Sequence, residues 1–276
     1  MVSNDLVEKT MPIIKINDAD IYYQDFNESN VKETIVFAHG LLWDNEMFSP
    51  QIEQLKSKYR CIAFDFRGQG KSESTESGYD MGSLALDTKL LIEKLVDGPV
   101  HFLGLSMGGF IGMRLAIHHP ELLKSLMLLE TTADPEPEEN KPKYRKLAFI
   151  AKWLGVGLIA DKTMAIMFSQ SFLNDPNKIE LKNEWTGRLK KLNRWKFGKA
   201  VKGVVDRNGI YGMLNKIQLP TLIVVGDEDV ATTPAKAQRM HDAIKGSNLV
   251  TIEKAGHTSS IEQPEAITKA IEEFLR

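Results

Sequence analysis

Val100-His101-Phe102-Leu103-Gly104-Leu105-Ser106-Met107-Gly108-Gly109 decides the fold. Its first residues form an apolar, branched and aromatic run of strand length. The residues from Ser106 to His118, ending before Pro120, have helical spacing. Between them, Gly104-Leu105-Ser106-Met107-Gly108 places glycine two residues to either side of a serine. A serine presented at a sharp strand-to-helix turn takes strained backbone angles, and side chains at those two flanking positions would collide. The same turn sets Ser106 at a helix N-terminus, where free N–H groups and the helix dipole favour developing negative charge. A plain helix N-cap is the rival reading of Ser106.

Working outward, the same alternation recurs along the chain. Thr34–Ala38, Tyr59–Phe64, Leu123–Leu129, Leu219–Val225 and Leu249–Ile252 are short runs without apolar/polar alternation, as expected of parallel strands covered on both faces. Ile13–Ile16 and Ile21–Phe26 flank Asn17-Asp18 and predict a hairpin at an antiparallel edge. Leu84, Leu91, Ile92 and Leu95 share one helical face, as do Ile267, Ala270, Ile271 and Phe274. Strand and helix repeated in this way predict an α/β protein with a mostly parallel, doubly wound sheet of about eight strands.

The pattern breaks after Asp134-Pro135-Glu136-Pro137, which cannot be a strand. The residues that follow, to about Ile210, keep helical periodicity at Leu147, Ile150, Trp153, Leu154, Met164, Met167, Trp185 and Leu189. A structureless loop of that length is improbable in a compact domain, so the expectation is several helices inserted at 134–210 between core segments 1–133 and 211–276. The aromatics and methionines of the insert, Phe149, Trp153, Met164, Met167, Phe168, Phe172, Trp185 and Trp195, are read mostly as its own packing, with a few lining an apolar pocket. The insert carries 16 Lys/Arg against 9 Asp/Glu, a balance of +7 that leaves −9 for the rest. Solvated lysine-rich faces account for this surplus. A cationic lid favouring anionic substrates is the sharper reading, and it requires a Lys or Arg that faces the pocket.

Composition excludes several classes. The net charge of −2 supplies no global field toward nucleic acid. Met1–Thr10 lacks the basic start and apolar core of a secretory signal, and no stretch approaches a membrane span, so the expected compartment is the cytoplasm. The basic stretch Arg188–Lys202 is interrupted by Gly198 and is read as a solvated face, with no stable membrane association. The single cysteine, Cys61, lies in an apolar strand and is read as core. No close His/Cys cluster or H-x-x-x-H pair is present, and Gly68-Gln69-Gly70-Lys71 lacks the glycine spacing of a phosphate loop. Neither metal nor cofactor is therefore expected.

A serine nucleophile needs a base, and the base needs an orienting acid. Thr221–Gly226 runs into Asp227-Glu228-Asp229, and Leu249–Ile252 runs into Ala255-Gly256-His257. Ser106, the acidic loop and His257 each lie just past a predicted strand's C-terminal end, where open α/β sheets place ligands. Glu130 ends the strand before the insert, and its bland reading is a pocket-edge or loop-capping residue. His118 and His119 suit a helix C-terminus, His101 and His241 are read as surface residues, and His39 as a brace for its own loop. The turn holding Asp65, Arg67, Gly68 and Gly70 is read as structural.

With these residues in place, the chain resembles the α/β-hydrolase superfamily outside the insert. The resemblance rests on His39-Gly40, Asp65–Ser72, the Gly-Leu-Ser-Met-Gly-Gly turn, Gly226–Asp229 and Ala255–His257. It implies an α/β-hydrolase fold whose inserted helices form a cap. It also implies Asp229 as the acid over Asp227, with Glu130, at a position some relatives use, as the alternative acid, and the backbone amides of Leu41 and Met107 as an oxyanion hole. Within the superfamily the chain is similar to small carboxylesterases, cofactor-free haloperoxidase/perhydrolase-like proteins and 3-oxoadipate enol-lactonases. The implied activity is hydrolysis of a small ester by Ser106, His257 and Asp229. Lactone hydrolysis and perhydrolysis are rival chemistries, and a ligand-binding receptor on the same scaffold is a rival of another class.

Overall fold

The computed structural model describes residues 12–27 and 33–276, so the reading of Met1–Thr10 lies outside the described residues. Among the described residues, eight strands are present: β1 (Ile13–Ile16), β2 (Ala19–Phe26), β3 (Thr34–Ala38), β4 (Arg60–Phe64), β5 (Val100–Leu105), β6 (Leu123–Leu129), β7 (Thr221–Gly226) and β8 (Asn248–Ile252). They form one sheet in the order β1-β2-β4-β3-β5-β6-β7-β8. β2 pairs antiparallel with β1 and β4, and every pairing from β4 to β8 is parallel. The first two strands are joined at Asn17, which takes φ 51°, a left-handed conformation that asparagine tolerates in a tight hairpin.

Alternation across each strand divides the core between the two faces of the sheet. Val36, Ile62, Phe102, Leu126 and Ile223 point to one face, under α2 (Met81–Leu95), α3 (Met107–His118) and α9 (Pro234–Ala243). Ile35, Phe37, Cys61, Leu103 and Val224 point to the other, which α1 (Ser49–Leu55) and α11 (Pro264–Phe274) cover. Each fully buried Leu, Ile or Phe contributes about 1.5–3 kcal/mol relative to exposure. Every residue of β3 and β7 is buried, which is why those runs show no polar alternation in the sequence. Cys61 lies in this core, where burial pushes its thiol up to about 12.

Between β6 and β7 the chain runs through α4 (Lys141–Leu154), α5 (Ala160–Met167), α6 (Gln170–Asn174), α7 (Ile179–Lys190) and α8 (Phe197–Val205). Met164, Met167, Phe168, Phe172 and Trp185 pack inward and share a cluster with Trp43 of the sheet layer. Phe149, Trp153 and Trp195 do not follow the packing expectation: they are 63%, 54% and 53% exposed, with Trp153 set against the other two rings and Lys152 over both tryptophans. Helical periodicity marked them as apolar, but α4 turns its Leu147, Ile150 and Ala151 side toward the core and Tyr144 and Ala148 toward the cavity. His101 departs from its surface reading in the opposite direction. It is largely buried, bonded to Ser125 Oγ and edge-on to Tyr59, and burial lowers its pKa.

The glycines at the strand-to-helix turn are close-packing requirements. A Cβ on Gly104 would lie 2.3 Å from the Gly108 backbone, and one on Gly108 would lie 2.0 Å from the Ala38 carbonyl oxygen. Because the obstructing atoms are backbone, α3 itself would have to move. Gly104→Ala is expected to cost at least about 3 kcal/mol. In a chain of this size that lowers the melting temperature by at least about 6 °C, which calorimetry would read. A melting point unchanged within about 1–2 °C would contradict this packing.

Candidate active site

Ser106 joins β5 to α3 with φ 51° and ψ −107°, a strained conformation for a residue with a side chain. It makes no side-chain capping bond, so the helix-cap reading does not describe it. Its Oγ lies 2.8 Å from His257 Nε2, and His257 Nδ1 lies 2.9 Å from Asp229 Oδ2. Asp229 follows β7 and His257 follows β8, so three separate strand ends bring these side chains into one line. All three are buried, at 7%, 3% and 5% exposure for Ser106, Asp229 and His257.

Burial alone would raise the Asp229 pKa. The charge interaction with His257 and the hydrogen bonds from His257 and Thr232 outweigh it and hold the carboxyl at about 2. Asp229 is therefore an anion that only accepts. It takes the amides of Ala231 and Thr232 on Oδ1, and the Thr232 hydroxyl and the imidazole on Oδ2. His257 Nδ1 must then carry a ring proton, so that Nε2, when it is unprotonated, accepts from the Ser106 hydroxyl.

The His257 loop is clamped by Glu262 of α10 (Ser259–Glu262), whose Oε1 accepts from the amides of Gly256 at 3.0 Å and Thr258 at 3.3 Å. The other Glu262 oxygen accepts from Ser169 N, tying this loop to the inserted helices. Glu228 likewise accepts from the amide and hydroxyl of Ser171. Glu130, the alternative acid, is fully buried, and neither carboxyl oxygen has a hydrogen-bond partner among the described residues. Burial raises its pKa well above the ordinary range, more than the nearby Ser259 hydroxyl can offset. The structure pairs His257 with Asp229 and not with Glu130.

The Leu41 and Met107 amides have no acceptor among the described residues. An unpaired N–H near a reactive oxygen is a ready anion site. The loop carrying Leu41 is held on both sides. His39 Nε2 accepts from Phe66 N, so its Nδ1–H donates to Gly40 O. Leu42, at φ 73°, donates its amide to Gln69 Oε1 at 3.0 Å, and Gln69 Nε2 reaches Met107 Sδ at 3.8 Å. Gln69 thus links the two amide-bearing segments, a role that the turn's structural reading missed. Arg67 in the same turn does fit that reading, with a two-pronged contact to Asp87 at 2.7 and 2.9 Å.

Ser106 and His257 open into a cavity of about 140 Å³, close to the volume that admits benzene. Leu147, Ala148, Ile166, Met167, Val201 and Val204 of the inserted helices line it. Among the described residues, no group of His, Cys, Asp and Glu could hold a metal ion, and no helix is long and apolar enough to cross a membrane.

The sequence profile of the alpha/beta hydrolase fold matches residues 33–264, and the chain belongs to that family. At the level of individual relatives, it is 26% identical over 259 residues to 3-oxoadipate enol-lactonase 2 of Acinetobacter baylyi, covering 94% of each chain. A thermophilic esterase from Thermogutta terrifontis superposes with a TM-score of 0.88 at 27% identity, over 96% of this chain and 98% of that one. The enol-lactonase of Burkholderia xenovorans LB400 gives 0.88 at 26% identity, over 96% and 99%.

Proposed function

We propose that this chain is a serine hydrolase that cleaves small carboxylic esters through an acyl-enzyme on Ser106. The observation that carries the reading is the hydrogen-bonded line from Ser106 Oγ through His257 to Asp229. His257 Nε2 takes the hydroxyl proton as Ser106 attacks the ester carbonyl. Asp229 stabilises the imidazolium that forms. The Leu41 and Met107 amides, lacking any other acceptor, receive the oxyanion. The imidazolium then returns its proton to the departing alcohol. A water deprotonated by the same ring clears the acyl group.

In this reading the segment 134–210 acts as a cap over a core of 1–133 and 211–276. The apolar lining and small volume of the cavity favour short acyl groups. A lactone is an ester whose alcohol stays attached, so the same steps open it, and the enol-lactonases among the similar proteins favour that second reading.

Treating the intact protein with a fluorophosphonate should modify one peptide, and mapping should place the label on Ser106. Absence of labelling, or labelling at another serine with Ser106 untouched, would overturn the proposal.

A further inference from the structure

The insert's surplus of positive charge bears on substrate choice only through side chains that reach the cavity. Apart from His257, two charged residues line it among the described residues: Arg207, just after α8, and Glu136, before α4. They pair, with Arg207 Nη1 3.0 Å from Glu136 Oε2. Both side chains are largely buried, so neither charge is much screened by solvent.

Arg207 is also rigidly placed. Its Nε donates to Asp134 O, its Nη1 donates to Val204 O, and its guanidinium lies 4.5 Å from the centre of the Phe110 ring. Nη2 has no hydrogen-bond partner among the described residues. The other nearby cation, Arg114, donates to Phe110 O and Asn208 O and does not line the cavity.

We propose that the Arg207–Glu136 pair makes the acyl pocket electroneutral, so that the site takes uncharged esters and Glu136 is the residue that turns carboxylate-bearing substrates away. This deepens the esterase reading and rests on it. A substrate carboxylate near Arg207 would form a buried trio of one cation and two anions, leaving a net negative charge in an apolar cavity. A neutral carbonyl or ether oxygen can accept from the free Nη2 donors with no such cost. Without the Glu136 charge, the same carboxylate would meet a guanidinium that lacks its ion-pair partner, a pairing with both geometric and charge complementarity.

The test compares methyl hexanoate with monomethyl adipate, which differ by a terminal methyl against a terminal carboxylate. The readout is the ratio of their kcat/KM values, charged over neutral. For the wild-type protein the ratio is expected below about 0.05, and in Glu136→Gln it should rise at least about tenfold. Because both charges are buried, the rise should persist as ionic strength increases. A wild-type ratio near one overturns the proposal without reference to any variant, so a variant that fails to fold does not protect it. An unchanged ratio in a folded Glu136→Gln protein overturns it as well. A wild-type protein inert toward methyl hexanoate, and toward short neutral esters generally, overturns the underlying esterase reading instead.

Discussion

Ser106→Ala is expected to lower kcat for a short ester by about 10⁵-fold or more, with the fold retained. The size follows from the role proposed for the hydroxyl. Without Oγ there is no acyl-enzyme, and what remains is the contribution of the cavity and the two free amides acting on a bound ester. The cost in stability is of a different order. Alanine removes one hydrogen bond to His257 Nε2, and this ring borders the cavity, where water can replace the lost partner. A loss of about 1 kcal/mol corresponds to a fall of roughly 2–4 °C in melting temperature. Alanine keeps the strain at φ 51°, because that strain comes from the Cβ. Ser106→Gly should be equally inactive yet melt higher than Ser106→Ala, since relief of about 1–3 kcal/mol of strain exceeds the entropic penalty of glycine. Ester turnover by either variant above about 1% of wild type, measured with protein free of wild-type contamination, would remove Ser106 from the chemistry. A glycine variant no more stable than the alanine variant would show that the turn stores no strain.

The stretch from Val100 to Gly109 made the centre of the fold legible because its constraints are local. A buried strand, a tight turn and a helix each impose their own residue types within that one short stretch. The sheet could be read outward from there, since strands buried on both faces leave dense apolar runs. His257 and the acidic loop of Asp227 to Asp229 were legible for a related reason: each follows a strand that the pattern had already located, and the resemblance singled out Asp229 within the loop. Gln69, Thr232 and Glu262 were not. Their roles depend on contacts with Leu42, Asp229 and Gly256, and nothing in the local sequence distinguishes these polar residues from those of any exposed loop. Phe149, Trp153 and Trp195 fail in the opposite sense. Apolar spacing along a helix marks a face without stating whether a neighbour covers it, and these rings stay in solvent. The Arg207–Glu136 pair was hidden in the charge count, where 16 cations and 9 anions in the insert concealed that one of each reaches the cavity.

Asp229→Asn is expected to reduce kcat by about 10⁴-fold, while Glu130→Gln leaves it within about threefold of wild type. The introduced carboxamide must keep its oxygen toward the Ala231 and Thr232 N–H groups, which donate to Oδ1 of the native carboxylate. Its NH₂ then faces His257 Nδ1 and forces that nitrogen to accept. The ring proton moves to Nε2, where it blocks transfer from Ser106. Glu130 has no comparable link to the ring, and burial raises its pKa well above the ordinary range, which disfavours the anion that a counter-ion must be. The two variants also separate on stability. The Asp229 pKa is depressed to about 2 from 3.8, so its contribution is present above about pH 4 and is lost as pH falls toward 2. That contribution is about 2 kcal/mol, and Asp229→Asn should flatten this part of the melting profile. Glu130 has the opposite sign: its contribution is whole below about pH 4.5 and is lost as pH rises through its raised folded pKa, so Glu130→Gln should resist alkaline unfolding better than wild type. Turnover that survives in Asp229→Asn and collapses in Glu130→Gln would transfer the acid's role to the end of β6. The buried Glu130 would then have to act as an anion against the desolvation that raises its pKa.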